Sequence, residues 1–160
     1  MAAVDLLIPR IRVLWPNAVT GAMPASANYS DTLRSLGQFL QPFEPLEIIV
    51  LEREERLEVW WRATLPHGSE KHFESFRADA LRAFGRKLRG IESSGSSQLA
   101  DLLRALGHEL DQLNAEQVSF IEALDGFSVS ARVGGSEFHR TYTRAWLLAR
   151  CRSERSLRSA

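Results

Sequence analysis

The chain has 160 residues, 44% hydrophobic and 25% charged, which suits an ordinary globular protein of one domain or two very small ones. Twenty basic and twenty acidic side chains cancel, arguing against a protein that coats nucleic acid through bulk charge. One cysteine, Cys151, excludes an internal disulfide, and no stretch approaches the roughly 20 apolar residues of a membrane span.

The start, MAAVDLLIPRIRVLWP, places its basic residues after the apolar ones and breaks the apolar run at Pro9, unlike a signal peptide. The expectation is a cytoplasmic protein without membrane insertion. Residues 4–14 read as a strand, with Pro9 suiting an edge. Residues 16–30, PNAVTGAMPASANYS, have turn composition and read as a long loop. Ser30 or Asp31 then caps a helix with apolar positions Leu33, Leu36, Phe39 and Leu40, ended by Pro42 and Pro45.

LEIIVLE, 46–52, reads as a buried strand and REER as a charged turn. LEVWWRATL, 57–65, alternates: Leu57, Val59, Trp61, Ala63 and Leu65 on one face, Glu58, Trp60, Arg62 and Thr64 on the other. PHGS turns the chain, KHFESF is a third strand, and RADALRAFGRKL is a helix. IESSGSS, 91–97, reads as a linker, with Ser97 capping the next helix, QLADLLRALGHELDQL. VSFIEAL is a strand, Asp125-Gly126 a hairpin turn, and FSVSARV a strand with Phe127, Val129, Ala131 and Val133 inward. Gly134-Gly135 turns into EFHRTYT, and RAWLLARCRSER is the last helix.

The second half repeats the first. DTLRSLGQFL, 31–40, matches DLLRALGHEL, 101–110, at a spacing of 70. HGSEKHFESFRADAL, 67–81, matches GGSEFHRTYTRAWLL, 134–148, at a spacing of 67. In that second match Phe73 and Phe76 miss the strand faces of Phe138 and Tyr142, which predicts a one-residue slip or bulge between the copies. The predicted fold is α+β, an internal duplication of an α-β-β-β-α unit. Antiparallel strands in one sheet or two carry helices on one side, about a pseudo-two-fold axis. The divisions are 1–30 (N-terminal strand and loop), 31–90 (first unit) and 97–158 (second unit), the two units forming one compact domain.

Candidate chemistry is sparse. His72 and His139 are matched histidines, with His67 nearby, but the chain offers neither a cysteine partner nor regular His/Glu spacing for a metal. There is no G-x-S-x-G elbow and no glycine-rich phosphate loop, and the Glu54-Glu55 pair falls in a surface turn. No catalytic residue, metal or cofactor is expected, and the reading leans away from an enzyme. Gly37 and Gly107, matched inside helices, point to close packing, and Arg34 and Arg104 to surface ion pairs. Cys151 and Trp146 read as core residues.

Charge is patterned locally. Residues 77–89 carry five basic side chains against one acid, 140–158 six against one, and 101–125 six acids against one arginine. The basic last helices can face acidic surface of this chain, an acidic partner, or phosphates. The unit order, its length and the basic second helix are similar to double-stranded RNA-binding domains, which read duplex RNA by shape. That family opens its second helix with a lysine-rich motif, roughly K-K-x-A-K; here the positions read FRADALRAF and TRAWLLARC. The resemblance implies nucleic-acid contacts through Arg77, Arg82, Arg86, Arg144, Arg150 and Arg152.

The other expectation rests on Trp60, on the polar face of its strand beside Arg62 and Glu58. Trp and Arg are common anchors of protein interfaces. Either the N-terminal strand or the 16–30 loop covers Trp60, or it belongs to an interface. The leading reading is a non-catalytic protein–protein interaction, an assembly or accessory subunit of a larger complex, binding through Trp60, Arg62, Glu58 and the basic C-terminal helix. Nucleic-acid binding is the alternative, and the oligomeric state is left open.

Overall fold

The computed structural model describes residues 28–89 and 98–159. The predicted strand at 4–14, most of the 16–30 loop, the linker at 91–97 and the Ser97 cap lie outside the described residues.

The first helix, α1 (Tyr29–Leu40), begins earlier than predicted, so Tyr29 and Ser30 are helical rather than loop. Its cap is Asn28 rather than Ser30 or Asp31: Asn28 Oδ1 accepts from Asp31 N at 3.0 Å, and Asn28 Nδ2 donates to Asp31 Oδ2 at 2.8 Å. The first bond satisfies a backbone amide that a helix start leaves without an intrahelical partner, and the second, between side chains, holds the cap in place. A 3-10 turn at Gln41–Phe43 absorbs Pro42.

Three strands follow, β1 (Glu47–Arg53), β2 (Arg56–Leu65) and β3 (Gly68–Arg77), and then α2 (Ala78–Lys87). The second unit runs α3 (Gln98–Gln112), β4 (Glu116–Ala123), β5 (Gly126–Val133), β6 (Ser136–Thr143) and α4 (Arg144–Ser159). The two α-β-β-β-α units form one antiparallel six-stranded sheet in the order β3-β2-β1-β4-β5-β6.

Where β1 meets β4, Val50 pairs with Phe120, flanked by Ile49 with Ile121 and Leu51 with Ser119. Val50 and Phe120 are 70 residues apart, the spacing of the helix repeat. The pseudo-two-fold axis therefore passes between them, and the units join like the subunits of a fused dimer.

All four described helices share one core with one face of the sheet, in the lateral order α2-α1-α3-α4. Leu33, Leu36 and Leu40 of α1 and Leu102, Leu103, Leu106 and Leu110 of α3 are buried at helical spacing. From the sheet, Val50, Leu57, Val59, Trp61, Phe120, Phe127 and Val129 point into this layer. Leu65 falls on the predicted face, but it lies past the end of the helix layer and is exposed.

The hairpins define how the copies align. Val59 pairs with Val50 and Val129 with Phe120, so β2 and β5 keep the spacing of 70. The first hairpin then runs two pairs further, through Thr64–Ser69 and Leu65–Gly68, whereas the second closes at Val133–Ser136. Four extra residues reduce the spacing of β3 and β6 to 66. Phe76 thus corresponds to Tyr142, and His72 to Phe138. The gapless match at 67 is one residue out of structural register, and its identities fall on opposite faces of the sheet. This is the predicted slip, set by hairpin length.

The turn before β5 also differs from expectation. Ala123 pairs with Gly126, so Leu124 and Asp125 make the turn and Gly126 is in the strand. Its φ is +156°, and a Cβ there would lie 1.9 Å from the Tyr142 carbonyl oxygen. Gly126 is a glycine because β6 approaches it, not because it turns the chain.

Candidate functional site

The face of the sheet turned away from the core carries no described helix. By strand alternation and register it displays Arg56, Glu58, Trp60 and Arg62 from β2 and Lys71, Phe73 and Ser75 from β3. Ile49 and Leu51 of β1 are buried on this side; Trp60 and Ile121 are the cross-strand neighbours of Ile49. Trp60 and Phe73 face each other directly across β2 and β3, with ring centroids 4.8 Å apart and planes tilted by 43°. Phe73 remains 51% exposed. Around the rings, Arg62 meets Glu47 at 3.5 Å and Arg53 meets Glu58 at 3.5 Å. Arg56 donates to Ser75 Oγ at 2.8 Å and to its carbonyl at 2.9 Å.

The three residues predicted at an interface, Glu58, Trp60 and Arg62, are therefore brought together. Sequence reasoning missed Phe73, because its partnership with Trp60 depends on the register of the β2–β3 hairpin. The alternation of KHFESF alone could have placed Phe73 opposite His72.

The six arginines predicted as phosphate contacts are not brought together. α2 and α4 are the outermost helices on opposite flanks, three interhelical steps apart, or about 25–30 Å. Several of these arginines also meet acids of this chain. Arg77 pairs with Asp79 at 2.8 Å, Arg144 with Glu122 at 3.5 Å and Arg150 with Glu109 at 3.0 Å. Arg150 also lies over the Trp146 ring, 5.3 Å from its centroid. Arg82 faces Glu52 and lowers its pKa. Arg86 and Arg152 are exposed. The basic last helix thus meets the acidic second-unit surface of the same protein.

The two histidines prove to be different residues structurally. His72 points to the core side, stacked on Trp61 at 5.2 Å with its Nε2 3.4 Å from Glu70. His139 points to the far face, where its Nδ1 lies 2.9 Å from Ser130 Oγ and its Nε2 3.8 Å from Glu137. This Ser–His–Glu row resembles a nucleophile with its base. However, the side chains of His139 and Glu137 are 66% and 77% exposed, and the 3.8 Å contact is longer than a hydrogen bond. The row lacks the enclosed setting that tunes a catalytic base. Among the described residues, no three or more His, Cys, Asp or Glu side chains are grouped to hold a metal.

The strongest electrostatic perturbations lie in the core instead. Glu52 is buried; its carboxylate accepts from Tyr29 Oη at 2.7 Å and from Val118 N at 2.9 Å. A bulge in β4, with Gln117 at φ 52°, accompanies this Val118 contact. Burial raises the Glu52 pKa, against these hydrogen bonds and Arg82. Its counterpart Glu122 is pushed up to about 7, by burial first, partly opposed by Arg144 and reinforced by Glu47. Glu52 is buried and Glu122 half-buried, so neither carboxyl lines an open site. Cys151 is buried with Sγ 3.3 Å from the Asp101 carbonyl, a packing role.

Compared with protein-family models, with curated proteins and with solved structures, the chain matches none. No described helix is long and apolar enough to cross a membrane.

Proposed function

We propose that the chain acts by binding another protein through the far face of its sheet, as an assembly or accessory component. The observation that carries this reading is the Trp60–Phe73 pair, set opposite each other across two strands and half open on a face that no described helix covers. Large aromatic rings ringed by polar and charged groups are the usual anchors of protein interfaces. Arg62 and Glu58 supply that polar surround. The basic helix α4 is a weaker second contact, since Arg144 and Arg150 already meet Glu122 and Glu109. Nucleic-acid binding through the arginines of α2 and α4 is disfavoured by their placement on opposite flanks.

Site-specific photo-crosslinking tests this. A benzophenone amino acid at Phe73 is expected to give protein adducts in cells, and the same probe at Phe84 on α2 or Ala149 on α4 none. Adducts at α4 alone, or RNA adducts at either helix, would move the site to the helix layer.

A further inference from the structure

The two halves of the far face are related by the pseudo-two-fold, so they can be compared position by position. Trp60 corresponds to Ser130, Phe73 to His139 and Ile49 to Ser119. Lys71 corresponds to Glu137, and Arg53, Arg56 and Arg77 to Ala123, Gly126 and Thr143. On the core side the central equivalents stay apolar, as in Val50 and Phe120, Val59 and Val129, or Phe76 and Tyr142. The far face therefore carries one aromatic and basic half and one hydroxyl-rich half with Arg132 against Glu116 and Glu137. The first half holds five cations, Arg53, Arg56, Arg62, Lys71 and Arg77, against Glu47, Glu58 and Asp79, the partner of Arg77.

Building on the proposed sheet-face site, we infer that its occupant is an acidic segment of a partner protein carrying one large apolar or aromatic anchor. The segment docks once per chain, on the first half only. The anchor covers Trp60 and Phe73. Its carboxylates meet Lys71, which is exposed and has no ion-pair partner among the described residues, and the outer donors of Arg62 and Arg56. Charge complementarity of this sort sets specificity and orientation around an apolar anchor. An evenly charged polyanion fits less well, because Glu47 and Glu58 interrupt the cations, whereas a peptide can place its few carboxylates at Lys71 and Arg56 alone. The chain's own N-terminal segment, which places Arg10 and Arg12 in IPRIRVLW, has the wrong sign for a basic patch.

The test is selection of 12-residue peptides from a random phage library on the full chain, followed by binding of the selected synthetic peptides. The expected result is enrichment of Asp and Glu around one aromatic or large aliphatic residue. Binding should have a 1:1 stoichiometry and weaken as salt rises. It should fall roughly tenfold or more in Trp60→Ala and in the double variant Arg62→Glu, Lys71→Glu. Lys71→Glu alone alters an exposed side chain, so it decides the question if Trp60→Ala or the double variant does not fold. Neutral or basic peptides that still require Trp60 would overturn the acidic partner while leaving the sheet-face site standing. A selection yielding only peptides indifferent to both variants would overturn the two together. Tighter, Trp60-dependent binding of a 12-nucleotide oligo(dT), or a Trp60-dependent dimer in sedimentation, would assign the face to single-stranded nucleic acid or to a second copy instead.

Discussion

Gly37 on α1 lies against the backbone of Ala100 on α3, so closely that a Cβ added to it would sit 2.6 Å from Ala100 Cα. The repeat makes the same contact a second time: a Cβ on Gly107 would sit 2.8 Å from Ser30 Cα and 2.4 Å from the Tyr29 carbonyl oxygen. Pseudo-symmetry thus builds the helix–helix interface from two equivalent close approaches. Backbone atoms cannot move aside as a flexible side chain would.

Gly37→Ala and Gly107→Ala are therefore each expected to destabilise the protein by about 1–3 kcal/mol, the range for overpacking a tight interface. This outweighs the roughly 1 kcal/mol that alanine gains over glycine in helix propensity. Urea unfolding measures it as a lower midpoint at unchanged slope. An increase in stability in either variant would show that the helices are further apart than described.

The helix repeat was legible because its shared Leu and Gly residues pack in the same way in both copies at one constant spacing. The strand repeat misled for a physical reason. Identities at a spacing of 67 are real, but four extra residues in the β2–β3 hairpin set the structural spacing at 66. A one-residue difference reverses every side chain of a strand, so the matched His72 and His139 stand on opposite faces. Strand alternation did place Trp60, Arg62 and Glu58 together. Phe73 was hidden in the hairpin register, and the ion pairs Arg150–Glu109 and Arg144–Glu122 in tertiary contacts that local charge counts do not contain.

Glu122 predicts a pH dependence. Its carboxyl is raised from an ordinary value of 4.5 to about 7 in the folded protein. Between those values the folded state holds a proton that the unfolded chain has released. Stability therefore falls as pH rises through about 4.5 to 7. Glu52, also raised by burial, acts with the same sign. Denaturant unfolding at pH 5 and pH 7.5 should show lower stability at the higher pH, and Glu122→Gln should reduce the difference. An unchanged difference in the variant would mean that Glu122 titrates normally.

Tyr29 and Glu52 form a buried pair in which burial pushes the tyrosine hydroxyl far above its ordinary pKa, keeping it a donor to the carboxylate at 2.7 Å. Tyr29→Phe removes that donor and leaves the carboxylate with Val118 N. The expected cost is about 1–3 kcal/mol, typical of a lost hydrogen bond to a charged group. A double-mutant cycle with Glu52→Gln separates this from lost packing, with a coupling of at least about 0.5 kcal/mol expected. Strictly additive effects would show that the hydroxyl contributes nothing through Glu52.

The pairing of Val50 with Phe120 implies that neither unit is complete alone. Separating residues 28–89 from 98–159 would uncover the β1 and β4 edges together with Leu36, Leu102 and Leu106, all buried in the whole protein. A unit of about 60 residues is already marginal because it buries too little surface. The second unit expressed by itself is therefore expected to be unfolded when dilute. At higher concentration it should form a homodimer in which β4 pairs with β4 and Gly107 meets Ala100 of the other copy, the position equivalent to Ser30. Circular dichroism with sedimentation equilibrium distinguishes these states. A folded monomer of the second unit would show that the shared helix layer and central strand pair are not what holds the fold together.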